Sequence, residues 1–133
     1  MLLNRKEVKD VKRSEMIERI MDYYEGLDQT DFERILSAFH DDMIYKHPKL
    51  WDFEESEPEY HGKESFKSLY LEKRGKREFD HKIADIIIEG DRASVLGFAP
   101  RLGFTWVAYV RFKEGKIYRF IYGTLSGKPP LLE

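Results

Sequence analysis

The sequence has no cysteine, which excludes a disulfide framework, a thiol nucleophile, an iron–sulfur cluster and any cysteine-based zinc site. It also lacks a dominant charge. Its 23 Lys and Arg stand against 25 Asp and Glu, a formal net charge of −2, so no global field draws it to nucleic acid or anionic lipid. No apolar run approaches the length of a membrane span, and the pair Leu2 and Leu3 is interrupted at once by Asn4, Arg5, Lys6 and Glu7. No membrane partner and a cytoplasmic setting are therefore expected. Neither GxGxxG nor GxxxxGK nor a nucleophile elbow occurs, so no cofactor is implied.

What is present is apolar and aromatic: 41% of the 133 residues are hydrophobic and 14% carry aromatic rings. That content is too high for a disordered chain, and the length suits one domain with one core.

Residues 1–13 mix Arg5, Lys6, Lys9, Lys12 and Arg13 with acids and read as a charged arm or a frayed helical extension. Met16, Ile17, Ile20, Tyr23, Tyr24 and Leu27 then recur at i, i+3, i+4 spacing, which predicts a helix over 14–27. Thr30 and Glu33 have capping-box spacing ahead of Phe32, Ile35, Leu36 and Phe39, which predicts a second helix over 31–39. Met43 to His47 reads as a strand stopped by Pro48. The stretch 49–61 has no clean period and reads as a long excursion, and Phe66, Leu69 and Tyr70 predict a third helix over 64–72.

Four strands follow, over 79–88, 92–99, 104–112 and 116–124, parted by Glu89-Gly90-Asp91, by Pro100 to Gly103, and by Glu114-Gly115. Helices first and strands last, without βαβ alternation, indicate an α+β domain whose helices pack on one face of a curved antiparallel sheet. Residues 125–133 form a tail.

Several short motifs, in this order, carry a resemblance. They are Tyr23-Tyr24-Glu25-Gly26-Leu27 before Asp31-Phe32, the run from Ile35 to Asp42, and the strand ending His47-Pro48. The series closes with Tyr60-His61-Gly62-Lys63-Glu64-Ser65-Phe66 and the run from Arg111 to Ile117. Over 14–124 the chain resembles the nuclear-transport-factor-like superfamily, with its ketosteroid isomerases and SnoaL-like polyketide cyclases. The resemblance implies a cone-shaped sheet with three helices from the N-terminal half on its concave face, and a homodimer. It also implies that His47 stands where the isomerase has its general-base aspartate, and Tyr23 where it has its oxyanion-hole tyrosine. The isomerase's second donor, a protonated aspartate, is replaced by Ala108, a departure that argues against steroid isomerisation itself.

On its own terms, an imidazole at position 47 suits proton transfer near neutral pH, and strand alternation turns Met43, Tyr45 and His47 to one face. The alternative is a histidine that merely fixes the strand end. Tyr23 is placed to donate a hydrogen bond to a ligand oxygen, with Tyr24 in its stead should the register slip by one. Tyr45, Trp51, Phe53, Tyr60, Phe66, Trp106, Phe120 and Tyr122, with Ala108 among them, are expected to line an apolar pocket suited to an aromatic ligand, or else to fill the core. His81 and Asp85 are too far apart on a strand to share one ion, so no metal site is expected. The acids Glu54, Glu55, Glu57 and Glu59 and the basic turn 73–77 read as solvated.

Two functions are consistent with these residues. One is a small-molecule-binding protein that acts as a cofactor-independent isomerase, cyclase or lyase on an apolar carbonyl compound, with His47 as general base. The other is a noncatalytic ligand-binding or dimerisation module, joined to a second copy through the sheet face that bears Val107, Tyr109 and Arg111.

Overall fold

The computed structural model describes residues 4–47, 58–76 and 80–126. Helix α1 (Arg5–Gln29) begins where Asn4 and Glu7 cap each other: the Asn4 side chain accepts from the Glu7 amide at 2.8 Å and the Glu7 carboxylate accepts from the Asn4 amide. The helix expected over 14–27 is thus the C-terminal part of a longer one. It buries Met16, Ile20, Tyr23, Tyr24 and Leu27. Thr30 ends it in the left-handed conformation, φ 55°, with its amide turned back to the Gly26 and Leu27 carbonyls.

The helix expected to be capped by Thr30 is capped instead by Asp31, whose carboxylate accepts from the Arg34 amide at 3.1 Å and opens α2 (Phe32–Ser37). Thr30 is already committed to closing α1, so the next acceptor along the chain takes the role. Arg34 then ties the helices together, with Nε 3.1 Å from Asp22 and Nη2 2.6 Å from Glu25.

Strand β1 (Phe39–Lys46) begins directly after α2, earlier than its apolar run suggests, because a bulge between Phe39 and Ile44 accommodates His40, Asp41 and Asp42. The expected excursion contains β2 (Glu59–His61), an edge strand antiparallel to β1. The third helical segment is one rod of changing winding: α3 (Lys63–Phe66), a π-helical stretch (Lys67–Leu71) and α4 (Glu72–Arg74). Phe66, Tyr70 and Leu71 are buried while Leu69 is 57% exposed, so in the wider π turn Leu71 takes the place in the buried stripe that spacing predicts for Leu69.

The final meander matches its expected positions closely: β3 (Lys82–Glu89), β4 (Arg92–Ala99), β5 (Phe104–Lys113) and β6 (Lys116–Ser126). The β5–β6 turn places both Glu114 and Gly115 at positive φ, 53° and 75°, the geometry a two-residue hairpin connection requires. The six strands form one curved, unclosed sheet in the order β2-β1-β6-β5-β4-β3. Pairing is antiparallel except between β1 and β6. That pair is parallel because the helical rod returns the chain to the far edge of the sheet, and three hairpins then bring β6 back beside β1 in the same direction.

Helices and sheet enclose one core. On β5 the inward residues are Trp106, Ala108, Val110 and Phe112, while Val107, Tyr109 and Arg111 face outward. Gly97 on β4 is opposite Trp106, and a Cβ there would run into the indole; the absent side chain is what lets the ring lie flat on the sheet.

Candidate functional site

Strand alternation buries Met43, Tyr45 and His47 together, and the His47 amide extends the β1–β2 pairing by donating to the Pro58 carbonyl at 3.0 Å. The His47 ring lies 5.9 Å from that of Tyr45, 5.4 Å from that of Tyr70 and 4.6 Å from that of Tyr122. From the opposite wall α1 sends in Tyr23, whose hydroxyl stands 2.6 Å from the Tyr45 hydroxyl. Tyr45 in turn reaches the Tyr70 hydroxyl at 3.4 Å. Three phenols, from helix α1, strand β1 and the π-helical stretch, therefore bring their oxygens to one buried point beside an imidazole.

A hydroxyl left without a partner in an apolar interior costs about 1–3 kcal/mol, which is why these phenols meet one another. Burial holds Tyr23 and Tyr45 well above their ordinary phenol range, with the neighbouring Tyr70 adding to the effect for Tyr23 and Tyr23 adding to it for Tyr45. Tyr122 is raised for the same principal reason. The positive charge of Arg74 works the other way at both Tyr23 and Tyr122. Tyr23, Tyr45 and Tyr122 therefore keep their protons at neutral pH, so each is suited to donate a hydrogen bond and not to act as a base.

The remaining rings complete a continuous set of contacts. Phe120 stacks on Tyr45 at 4.8 Å, Phe66 stacks on Tyr70 at 5.4 Å, and Tyr60 packs against both tyrosines. Tyr122 links His47 to Trp106, whose indole is stacked on Tyr24 at 4.4 Å. Ala108 is fully buried between Val95 and Tyr122 on the adjoining strands. Of the residues expected at the site, Trp51 and Phe53 lie outside the described residues, as do Glu54, Glu55 and Glu57. His61 is exposed and bonded to Glu59 at 2.8 Å, away from the rings.

Two features escape a reading of the sequence. Tyr70, expected on the inward stripe as a packing residue, also brings its hydroxyl to that of Tyr45. His81 pairs with Asp28 and not with Asp85: its Nδ1 is 2.6 Å from Asp28 Oδ1, and its backbone amide donates to the same carboxylate at 3.1 Å. The helical spacing of Tyr24 and Asp28, i and i+4, is the one sequence signal that puts this carboxylate on the inward side of α1. Among the described residues no group of three or more His, Asp or Glu side chains is arranged to hold a metal ion.

A family model described as the SnoaL-like domain matches residues 20–120. No curated protein matches the sequence. Similar solved structures include a protein from Sinorhizobium meliloti whose assignment as a polyketide cyclase is provisional; it is 14% identical with a TM-score of 0.64, over 80% of this chain and 94% of that one. An LEH-like epoxide hydrolase from M. tuberculosis is 19% identical with a TM-score of 0.63, over 84% of each chain. TerC, co-crystallised with polyporic acid, is 22% identical with a TM-score of 0.67, over 82% of this chain and 90% of that one. At these identities the likeness is one of fold.

Proposed function

The chain belongs to the SnoaL-like domain family, and from that premise we propose that it binds a small, largely apolar carbonyl compound among its interior rings and moves a proton on it. The observation that carries this reading is the convergence of Tyr23, Tyr45 and Tyr70 beside His47. His47 is the general base. It removes a proton from the carbon next to the carbonyl, the electron pair moves onto the carbonyl oxygen, and a phenol of the cluster donates to the resulting enolate. Return of the proton elsewhere completes an isomerisation; loss of a leaving group or attack on a second carbonyl makes the same step a lyase or cyclase reaction. No cofactor enters.

The hydroxyl pairing suits this role. The Tyr23–Tyr45 contact uses one of two phenolic protons, and the 3.4 Å separation from Tyr70 is beyond the optimum for an O–H···O bond. A ligand oxygen at normal distance would compete well for the second proton. Fold relatives that include an epoxide hydrolase and a protein co-crystallised with polyporic acid support a small organic ligand.

The test is the ring opening of 5-nitrobenzisoxazole, in which a base takes the carbon-bound proton as the N–O bond breaks and a coloured phenolate is released. The wild-type chain is expected to bind this probe and accelerate its opening, and His47→Ala to lower the rate by roughly a hundredfold. Unchanged binding and turnover in His47→Ala would overturn the assignment.

A second reading, a noncatalytic binding or dimer module, is favoured by the buried Ala108, which offers no second donor where the isomerases have one. The outer sheet face adds to it, since Ile87, Val107, Tyr109 and Ile121 are all 40% or more exposed. We assign that face to a twofold contact with a second copy, in either reading. Sedimentation as a monomer at micromolar concentration would count against it.

A further inference from the structure

Across Tyr122 from His47, two buried donors stand without acceptors. We propose that the Tyr24 hydroxyl and Trp106 Nε1 form a second acceptor-binding subsite, so that the ligand carries two carbonyl oxygens, one at the phenol cluster and one here. This deepens the proposed function and rests on its reading of the ring-lined interior.

Trp106 is fully buried on β5, and Tyr24 is 2% exposed on α1. Their rings are stacked, with centroids 4.4 Å apart and planes 23° from parallel. Among the described residues neither the Tyr24 hydroxyl nor Trp106 Nε1 has a hydrogen-bond partner. An indole N–H lies in the plane of its ring, as a phenolic O–H prefers to, so both donors leave the stack at its edge and neither is spent on the other ring.

A stack that served only to fill the core would not need these two groups. A buried donor left unmade costs about 1–3 kcal/mol, a cost that a phenylalanine at position 24 would avoid. The neighbouring phenols follow the usual solution, with the Tyr23 and Tyr45 hydroxyls paired at 2.6 Å. Buried polar atoms are nearly always paired, and two orphans on rings in contact mark a place kept for an outside group.

The indole decides what that group is. An indole N–H donates and never accepts. Burial holds the Tyr24 phenol well above its ordinary range, with neighbouring Tyr23 reinforcing the effect, so it too keeps its proton. Both therefore call for an acceptor. An ammonium has no lone pair to offer, and a carboxylate would bring a full charge against two rings. A carbonyl oxygen has two lone pairs and no proton of its own to place, which makes it the matching group. Tyr122 is the ring common to both ends, in contact with His47 at 4.6 Å and with Trp106 at 6.2 Å. A flat apolar body along Tyr122, with a carbonyl at each end, is the complementary ligand.

The test uses five neutral probes with the intact chain: 2-acetylnaphthalene, 2,6- and 2,7-diacetylnaphthalene and, for each diketone, the analogue with one acetyl group replaced by isopropenyl, which puts a methylene group where the oxygen was. At least one diketone is expected to bind roughly tenfold more tightly than 2-acetylnaphthalene, the contribution of one good hydrogen-bond set, and its isopropenyl analogue should lose that advantage. The Trp106 indole N–H resonance, assigned as the one that persists in Trp51→Phe, should move downfield with the diketone relative to its isopropenyl analogue. Tyr24→Phe should keep or raise the melting temperature, because it removes a stranded hydroxyl, while lowering the preference for the diketone by about threefold or more. A purely structural role for Tyr24 predicts no change in that ratio, and comparing two ligands within one variant makes the result independent of stability.

Equal affinity for the monoketone and both diketones, an indole resonance that does not respond to the second carbonyl, or a preference that Tyr24→Phe leaves intact overturns the subsite and leaves the proposed function standing. Failure of the wild type to bind any of the five overturns both.

Discussion

The hydroxyls of Tyr23 and Tyr45, one from the first helix and one from the first strand, meet at 2.6 Å in the centre of the core. Neither side chain is more than 1% exposed, so both hydroxyls must find partners inside the core, Tyr45 reaching Tyr70 as well. Tyr45→Phe should lower stability by about 1–3 kcal/mol, because it strands the Tyr23 hydroxyl. Adding Tyr23→Phe should recover part of that loss, since it removes the stranded Tyr23 hydroxyl, while the Tyr70 hydroxyl stays without its contact to Tyr45. Denaturant unfolding of the two single variants and the double variant measures the coupling.

Buried phenols also set an alkaline limit. Tyr23, Tyr24, Tyr45 and Tyr122 are all raised above the ordinary value of 10.0, in each case chiefly by burial. The folded state therefore keeps phenolic protons that the unfolded chain releases, so this part of the stability is intact below pH 10.0 and is lost as the pH rises beyond it. Tyrosinate absorbance should rise for exposed rings first. The buried set should ionise in a single step that coincides with the loss of circular dichroism, and ionisation of all phenols while the fold persists would contradict the burial.

At Gly97 the expected effect is steric. A methyl group there would overlap the Trp106 indole, and the ring has little freedom to retreat because Tyr24 is stacked on its plane at 4.4 Å. Gly97→Ala should destabilise the protein by about 1–3 kcal/mol or more. It should also change tryptophan fluorescence, which would be unmoved if the ring could simply shift aside.

Thr30 offers a gain. It holds φ 55° at the end of α1, a conformation unfavourable for a β-branched residue. Thr30→Gly should raise stability by about 1 kcal/mol, read as an increase in melting temperature. A decrease would show that the threonine side chain contributes more than its backbone strain removes.

Apart from the short edge strand β2, which fell in the expected excursion, the order of elements was legible because it depends on local rules. The four C-terminal strands follow from period-two alternation and from turns such as Glu114-Gly115, and the α1 stripe of Met16, Ile20, Tyr23, Tyr24 and Leu27 follows from helical spacing. The inward turn of His47 was equally readable, two residues beyond Tyr45 on the same strand face. Local rules failed where one residue had two uses or where winding changed. Thr30 closes a helix instead of opening one, and in the π-helical stretch Leu71, beside the expected Tyr70, is buried in place of Leu69.

Partnerships between distant side chains belong to the tertiary structure alone. Asp28 and His81 are brought together only when the end of α1 packs against the start of β3, and the three phenols converge only when α1, β1 and the π-helical stretch close on one core. Periodicity reports which face of an element a residue occupies. It carries no information about which other element that face will meet, because that choice is made by the joint packing of all of them.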